Sequence, residues 1–259
     1  MEKITSRRNP LVTHIKKLGT SRSYRDVHGQ FLCDGLKLLE EAVNSGAEIV
    51  AVLTAAHIPF PMPADTRVYS ADRSLIDSIS PLKNAQPTLF TCKMPHKENL
   101  SDLSGNHILL DGVQDPGNVG SIIRTANAFA IKSVILTGAC ADPYNPKTQR
   151  ASMGAIFRQR IHFISISELT VLKSKEGVSG AAGTGVSFVG TAPDESCRDI
   201  CDVSLENSLI AIGSEGRGLS EEVLSLCDEM IRIPISRDCE SLNAATAAAI
   251  VIWESRSRM

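Results

Sequence analysis

With 259 residues, against a usual domain size of roughly 100–150, the chain is long enough for two domains or one large α/β domain. Its 42% hydrophobic and 22% charged residues form an ordinary globular mixture, which excludes wholesale disorder, a collagen-like chain and a coiled coil. The net charge of −2 singles out no partner, and the longest charge-free stretch, Gly177 to Pro193, is rich in Gly and Ser where a spanning helix needs about 20 apolar residues, so no membrane crossing is expected.

The first element is a helix opened by Asn9 as cap and Pro10 at the first position, with Leu11, Ile15 and Leu18 as its apolar stripe, Lys16 and Lys17 off that stripe, and Gly19 as its end. Phe31-Leu32-Cys33 predicts a short strand. Asp34 is expected to cap a helix that turns Leu36, Leu39 and Val43 inward and closes at Gly46. Ile49–Leu53 predicts a buried strand, and Pro59, Pro61 and Pro63 force a loop. A helix near Ser74–Ile79 and a strand near Thr88–Cys92 complete this half.

The polar run from Pro95 to Asp102 carries no apolar periodicity and marks the linker; the expected domains are 1–97 and 107–259, joined by 98–106. From His107 strands alternate with helices. Strands are predicted at Ile108–Leu110, Ser133–Thr137, Ile161–Ile164, Val186–Gly190, Leu209–Gly213 and Met230–Pro234. Helices are predicted near Val119–Ala130, Arg150–Phe157, Ser167–Ser174, Glu221–Cys227 and Asn243–Ser257. This alternation implies a mostly parallel sheet covered on both faces, whose ligands bind beyond the carboxyl ends of the strands.

Seven cysteines occur without a Cys-x-x-Cys pair, and are expected to be reduced thiols in a cytosolic protein. No metal-ligand spacing is found: His57, His96, His107 and His162 read as surface or core histidines, and Trp253 as helix-packing bulk. No apolar core follows the N-terminal charges, so no secretory signal is expected. Charge is uneven: residues 1–30 hold seven Lys or Arg against two acids, a net +5, leaving −7 for the rest. Such a basic arm is either a footprint for a polyanion or a solvated helix face. Aromatic residues are 4% of the chain, too few for an extensive base-stacking platform.

Three segments resist a bland explanation. In Asp111-Gly112-Val113-Gln114-Asp115-Pro116-Gly117-Asn118, a strand passes into a helix that Asn118 is placed to cap, and Arg124 sits among apolar and small neighbours, where it either snorkels or faces an anion. Gly213-Ser214-Glu215-Gly216-Arg217-Gly218 follows an apolar strand, with glycines for tight turns and an acid that a plain loop does not need. Ile233 to Asn243 leads into an Ala-rich helix, with Ser241 and Asn243 at its start. No phosphate-binding Gly-x-x-x-x-Gly-Lys-Ser/Thr run exists, and Gly216-x-Gly218 follows a late strand with no matching acid, which disfavours a dinucleotide oxidoreductase.

In this order and spacing, the three segments resemble the signature motifs of the SpoU (TrmH) family of RNA 2′-O-ribose methyltransferases, over about residues 107–257. Lys147 and Arg150-Ala151-Ser152-Met153-Gly154-Ala155 add a fourth similar stretch. Ile4-Thr5-Ser6-Arg7-Arg8-Asn9-Pro10-Leu11 and Phe31-Leu32-Cys33-Asp34-Gly35 resemble the substrate-binding domain often fused in front, itself similar to ribosomal protein L30e. His14 and Cys33-Asp34 depart from that domain's usual residues.

The resemblance implies an α/β SPOUT fold with a trefoil knot behind a smaller L30e-like α/β domain. It also implies S-adenosylmethionine as cofactor, RNA as partner (ribosomal before transfer RNA), a homodimer through the knot domain, and neither metal nor membrane. Arg124 becomes the central catalytic residue, with Asn118, Glu215, Ser241 and Asn243 around it. Gly213, Ile233, Leu242 and Thr191 become cofactor contacts. Arg7, Arg8, Lys16, Lys17 and Arg150 would grip RNA phosphates. Because a guanidinium keeps its proton up to about pH 12, Arg124 is expected to hold the phosphate beside the target ribose and stabilise the forming alkoxide, with Glu215 and Asn118 fixing it. The competing classes are a catalytically silent RNA-binding or assembly protein of the same fold and a transfer-RNA enzyme.

Overall fold

The computed structural model describes residues 1–96, 100, 103–179, 185–236 and 238–257, so residues 98, 99, 101 and 102 of the expected linker and Arg237 of the third segment lie outside the described residues. The chain divides into two compact units: Met1–His96 with Asp142–Arg158, and Lys97–Ala141 with Gln159–Met259.

The first unit is built on five strands: β1 (Glu2–Ile4), β2 (Gln30–Asp34), β3 (Ile49–Thr54), β4 (Arg67–Ala71) and β5 (Thr88–Lys93). They lie in the order β1-β4-β3-β5-β2, with β1 and β3 parallel to β4 and β5 antiparallel to its neighbours. Its helices from this stretch are α1 (Pro10–Thr20), α2 (Arg22–His28), α3 (Leu36–Asn44) and α4 (Arg73–Ile79). Asn9 caps α1 as expected, its side chain accepting from Leu11 N at 2.8 Å.

Other expectations need correction. Gly19 does not end α1; it lies inside the helix, where a Cβ would meet Leu32 and Pro81 at 3.0 Å, so it serves close packing. Ser21 ends α1 and also caps α2, an unforeseen helix that finishes at Gly29 in the left-handed conformation. Asp34 does not cap α3, because Gly35 takes that place with φ 125°. Instead the Asp34 carboxylate accepts from Ser80 Oγ at 2.7 Å and Gln86 N at 2.8 Å, and burial raises its pKa.

Residues 142–158, placed by sequence in the second domain, pack within the first unit. They include α6 (Pro146–Ser152). Arg25, 3% exposed, donates from Nε (3.0 Å) and Nη2 (2.5 Å) to Asp142 Oδ2 and from Nη1 to Leu18 O. Cys33 donates to Gln149 Oε1, and Phe31 lies against the rings of Tyr144 and Phe157. One positive charge of the basic arm is therefore an internal ion pair, not surface.

The second unit carries β6 (His107–Asp111), β7 (Ser133–Thr137), β8 (Arg160–Phe163), β9 (Ser187–Thr191), β10 (Arg198–Asp199), β11 (Ser208–Gly213) and β12 (Glu229–Arg232). They form one parallel sheet in the order β10-β12-β9-β11-β6-β7-β8. Its helices are α5 (Pro116–Ala128), α7 (Ile166–Ser179), α8 (Glu221–Leu224) and α9 (Ala244–Ser257). β6 and β7 are buried along their whole length, as strands covered on both faces must be. Leu103, inside the expected linker, is instead fully buried in this core with Leu109, Ile135 and Phe188. Among the described residues no helix is long and apolar enough to cross a membrane.

Candidate active site

β6 and β11 are neighbours in register, Asp111 opposite Gly213, so the segments following them leave the sheet side by side. After β6 the helix cap is Asp115, not Asn118: the Asp115 side chain accepts from Asn118 N at 2.8 Å and Pro116 takes the first helical position. Asn118 sits in the first turn with its side chain free to reach outward. After β11 the chain folds into a hairpin in which Ser214 and Gly218 exchange backbone hydrogen bonds of 3.0 and 2.9 Å. Gly213 cannot be another residue, since a Cβ there would lie 2.2 Å from the Gly218 carbonyl carbon. The hairpin presents Glu215.

Glu215 joins the three segments. Its Oε1 accepts from Asn118 Nδ2 at 2.8 Å, from Asn243 Nδ2 at 2.6 Å and from Ala244 N at 3.4 Å. Asn243 also donates to Asn118 Oδ1 at 3.0 Å, while its own Oδ1 caps α9 by accepting from Ala245 N and Thr246 N. The Asn243 side chain thus starts α9 and ties it to α5 and to the hairpin. Sequence reading missed a second anchor: Asp111, 7% exposed, accepts from Ser220 N at 2.6 Å and pins the far end of the hairpin. The visible signal was a carboxylate closing an otherwise apolar strand. Its register neighbour Thr137 buries a hydroxyl that has no hydrogen-bond partner among the described residues.

Arg124 is exposed on α5 and makes no hydrogen bond or ion pair to a described residue. Six residues beyond Asn118, it lies about 9 Å along the axis and roughly 120° around the helix from it. Asn118 and Glu215 therefore hold Asn243 and each other rather than fixing Arg124. Ser241 is exposed, with its carbonyl accepting from Cys239 Sγ. Trp253 is not buried bulk: it is 57% exposed on α9, its ring edge-on to Phe129 at 5.6 Å.

The proposed cofactor contacts follow three adjacent strands, β12, β9 and β11. Gly213, Thr191, Ile233 and Leu242 are all half-buried. Thr191 spends its hydroxyl on Ala211 O at 2.8 Å, leaving backbone groups as its offer to a ligand. None of the four side chains carries a charge, so a ligand beyond these strand ends would be held by main-chain hydrogen bonds. Among the described residues no group of three His, Cys, Asp or Glu is placed to hold a metal ion. None of the seven cysteines is in a disulfide; burial raises the pKa of Cys33 well above its ordinary value and that of Cys227 to about 11, so neither is a ready nucleophile. Arg7, Arg8, Lys16, Lys17 and Arg150 are exposed in the first unit, Arg150 donating to Asn84 O at 3.1 Å.

Comparison with known proteins matches residues 105–253 to the SpoU rRNA Methylase family and residues 9–89 to the MRM3-like substrate binding domain. The chain is 30% identical, over 99% of its length and 100% of the relative's, to the 23S rRNA (guanosine(2553)-2'-O)-methyltransferase RlmP of Bacillus subtilis. The SpoU methyltransferase AviRb of Streptomyces viridochromogenes, solved in complex with AdoMet, superposes with a TM-score of 0.83 at 28% identity, covering 97% of this chain and 98% of that one. The rRNA methyltransferase of Sinorhizobium meliloti gives 0.84 at 26% identity, covering 100% and 98%. The family model spans more than half of the chain, the relative in Bacillus subtilis matches it end to end, and the chain belongs to the SpoU rRNA methylase family.

Proposed function

We propose that the protein methylates a ribose 2′-hydroxyl in structured RNA, with 23S ribosomal RNA as the substrate, using S-adenosylmethionine. The observation that carries this reading is the Asn118–Glu215–Asn243 cluster, which locks the three motif segments together beside the strand ends. The names of the matched relatives support it.

When bound, S-adenosylmethionine supplies an electrophilic methyl group on a sulfonium. Gly213, Ile233 and Leu242 would hold it through backbone groups, with Thr191 at the edge. The chain's own work is alignment, which can supply about 7–11 kcal/mol of such a barrier. Glu215 keeps the hairpin and the start of α9 in one geometry. Arg124, without a partner among the described residues, binds the phosphate beside the target ribose and stabilises the alkoxide as the C–O bond forms. The hydroxyl proton passes to that phosphate or to a water, because a guanidinium cannot accept it. Ser241 orients the ribose. Arg7, Arg8, Lys16, Lys17 and Arg150 bind RNA phosphates.

The finer reading includes a trefoil knot around β11 and β12, a rare exception to unthreaded chains. It includes a homodimer through α5 and α9, where Arg124, Ile250 and Trp253 are exposed, no resident metal, and a cytoplasmic location. Tritium transfer from labelled S-adenosylmethionine to separated 23S rRNA and tRNA tests the proposal. Label in 23S rRNA, mapped to one 2′-O-methyl site, is expected; label in tRNA moves the substrate, and none in either leaves a silent RNA-binding protein.

A further inference from the structure

Asp111 ends β6, a strand whose five residues are all buried and whose interior is Ile108, Leu109 and Leu110. A carboxylate at the end of such a strand is costly unless a donor meets it. Its Oδ2 accepts from Ser220 N at 2.6 Å, a short, charge-assisted bond. The carboxylate makes no other hydrogen bond to the described residues. Asp111 is 7% exposed, so this one bond carries the task of satisfying it.

The bond joins two strands' continuations. Gly213 lies beside Asp111 in register, and the chain folds back over Gly213 so closely that a Cβ would stand 2.2 Å from the Gly218 carbonyl carbon. The hairpin is therefore fixed at three places. Ser214 and Gly218 close its waist, Glu215 ties its tip to Asn118 and Asn243, and Asp111 ties its exit at Ser220. The tip bonds are exposed and hold a side chain; the exit bond is partly buried and holds the main chain itself. Leu219, just before that exit, is buried in the core with Val223 of α8. A ligand held by main-chain hydrogen bonds beyond β11 gains when that main chain is set before it arrives, because ordering a loop on binding costs affinity.

We propose that Asp111 is a positioning residue for S-adenosylmethionine: through Ser220 N it presets the hairpin backbone and so governs cofactor affinity, while Glu215 at the tip governs the transfer step. The inference rests on the methyltransferase reading, with the cofactor beyond β11, and assigns to that site a residue that none of the three segments' roles had covered.

The test compares the full-length protein with its Asp111→Ala, Asp111→Asn and Leu172→Ala variants. Calorimetric titration with S-adenosylmethionine, tritium transfer to 23S rRNA and thermal unfolding are measured on each. Asp111→Ala is expected to raise both Kd and KM for the cofactor about tenfold, the loss of one charge-assisted hydrogen bond, with kcat at saturating cofactor kept within about twofold. Asp111→Asn keeps an acceptor for Ser220 N and should hold Kd within about threefold of the unaltered protein. Leu172, buried on α7 in the same core, serves as the control for plain destabilisation: Leu172→Ala should lower the thermal midpoint and leave Kd in place. Cofactor binding in Asp111→Ala equal to that of the unaltered protein, a loss of kcat in place of affinity, an Asn variant as weak as the Ala one, or the same rise in Kd in Leu172→Ala overturns the proposal.

Should Asp111→Ala fail to fold, amide-resolved hydrogen exchange on the unaltered protein decides. Before cofactor is added, the Ser220 amide is expected to exchange at least about tenfold more slowly than those of Gly216 and Arg217 at the tip, and to gain little on adding it. Exchange as fast as the tip's, or a large gain on binding, overturns the preset hairpin. An unaltered protein that binds no S-adenosylmethionine removes the reading beneath the proposal and the proposal with it; binding that Asp111→Ala leaves untouched removes the proposal alone.

Discussion

Glu215 Oε1 lies 2.6 Å from Asn243 Nδ2, joining the tip of the glycine hairpin to the residue that caps α9. The same carboxylate oxygen holds Asn118, so one charge organises three chain segments brought from positions up to 125 residues apart. Glu215→Ala removes the shared acceptor and leaves both amides to water. Given about 1.5–3 kcal/mol for a charge-assisted hydrogen bond, less at this exposed position, methyl transfer should fall about 10- to 100-fold with RNA affinity nearly unchanged. Single-turnover tritium transfer and filter binding on the same RNA check this; unchanged transfer would show that the cluster is ornamental.

Arg124 has no hydrogen-bond or ion-pair partner among the described residues, so its substitution should not unfold the protein. Arg124→Lys keeps the charge and loses the planar two-pronged donor. RNA binding should stay within a few-fold, while kcat drops about 100-fold, the scale seen when one donor to a developing oxyanion is removed. Near-normal turnover in this variant rules out the alkoxide-stabilising role.

Gly213→Ala sets a Cβ against backbone that can retreat only by opening the hairpin. The substitution should destabilise the second unit by about 1–3 kcal/mol and weaken S-adenosylmethionine binding measured by calorimetry. At Gly190 an added Cβ meets the flexible Met230 and the Cys227 sulfur, so Gly190→Ala should be milder in both measurements. The reverse ranking would contradict the hairpin as the rigid part.

Arg25 is buried and its partner Asp142 is 10% exposed, so removing one strands the other. Arg25→Met should cost about 3–5 kcal/mol in urea unfolding, and the double change with Asp142→Leu should recover most of that. A double variant no better than the single one would mean the pair is not what seats residues 142–158.

Asp34 carries a carboxyl whose pKa burial raises. A raised folded-state pKa gives a stability contribution that is complete below the unfolded value, about 3.9, and fades as pH climbs through the folded value. Asp34→Asn is neutral throughout. The stability of the Asn variant relative to the natural protein should therefore grow as pH rises from about 4, a difference in which the other carboxylates cancel. A gap that shrinks over that range would reverse the sign.

Periodicity and end signals were enough to place every strand of the second unit but the two-residue β10, and most helices, because apolar repeat and capping are properties of neighbours in the chain. Asn9-Pro10 at the start of α1 and the buried runs of β6, β7 and β11 were legible for that reason. β1 and β4 were not, since both carry mixed polar residues and are strands by virtue of pairing with each other and with β3.

The motif residues Asn118, Glu215 and Asn243 were named from their order and resemblance, yet their mutual hydrogen bonds, the capping by Asp115 and the anchoring by Asp111 are through-space facts. The same holds for Arg25, which local sequence counts with a basic surface arm and which the fold instead sinks against Asp142. Chain-local chemistry determined which elements form and which residue types bear the chemistry. Tertiary packing alone decided which polar groups meet, because a hydrogen bond between residues 118 and 243 depends on where the sheet sets down its strand ends and not on anything either residue's neighbours encode.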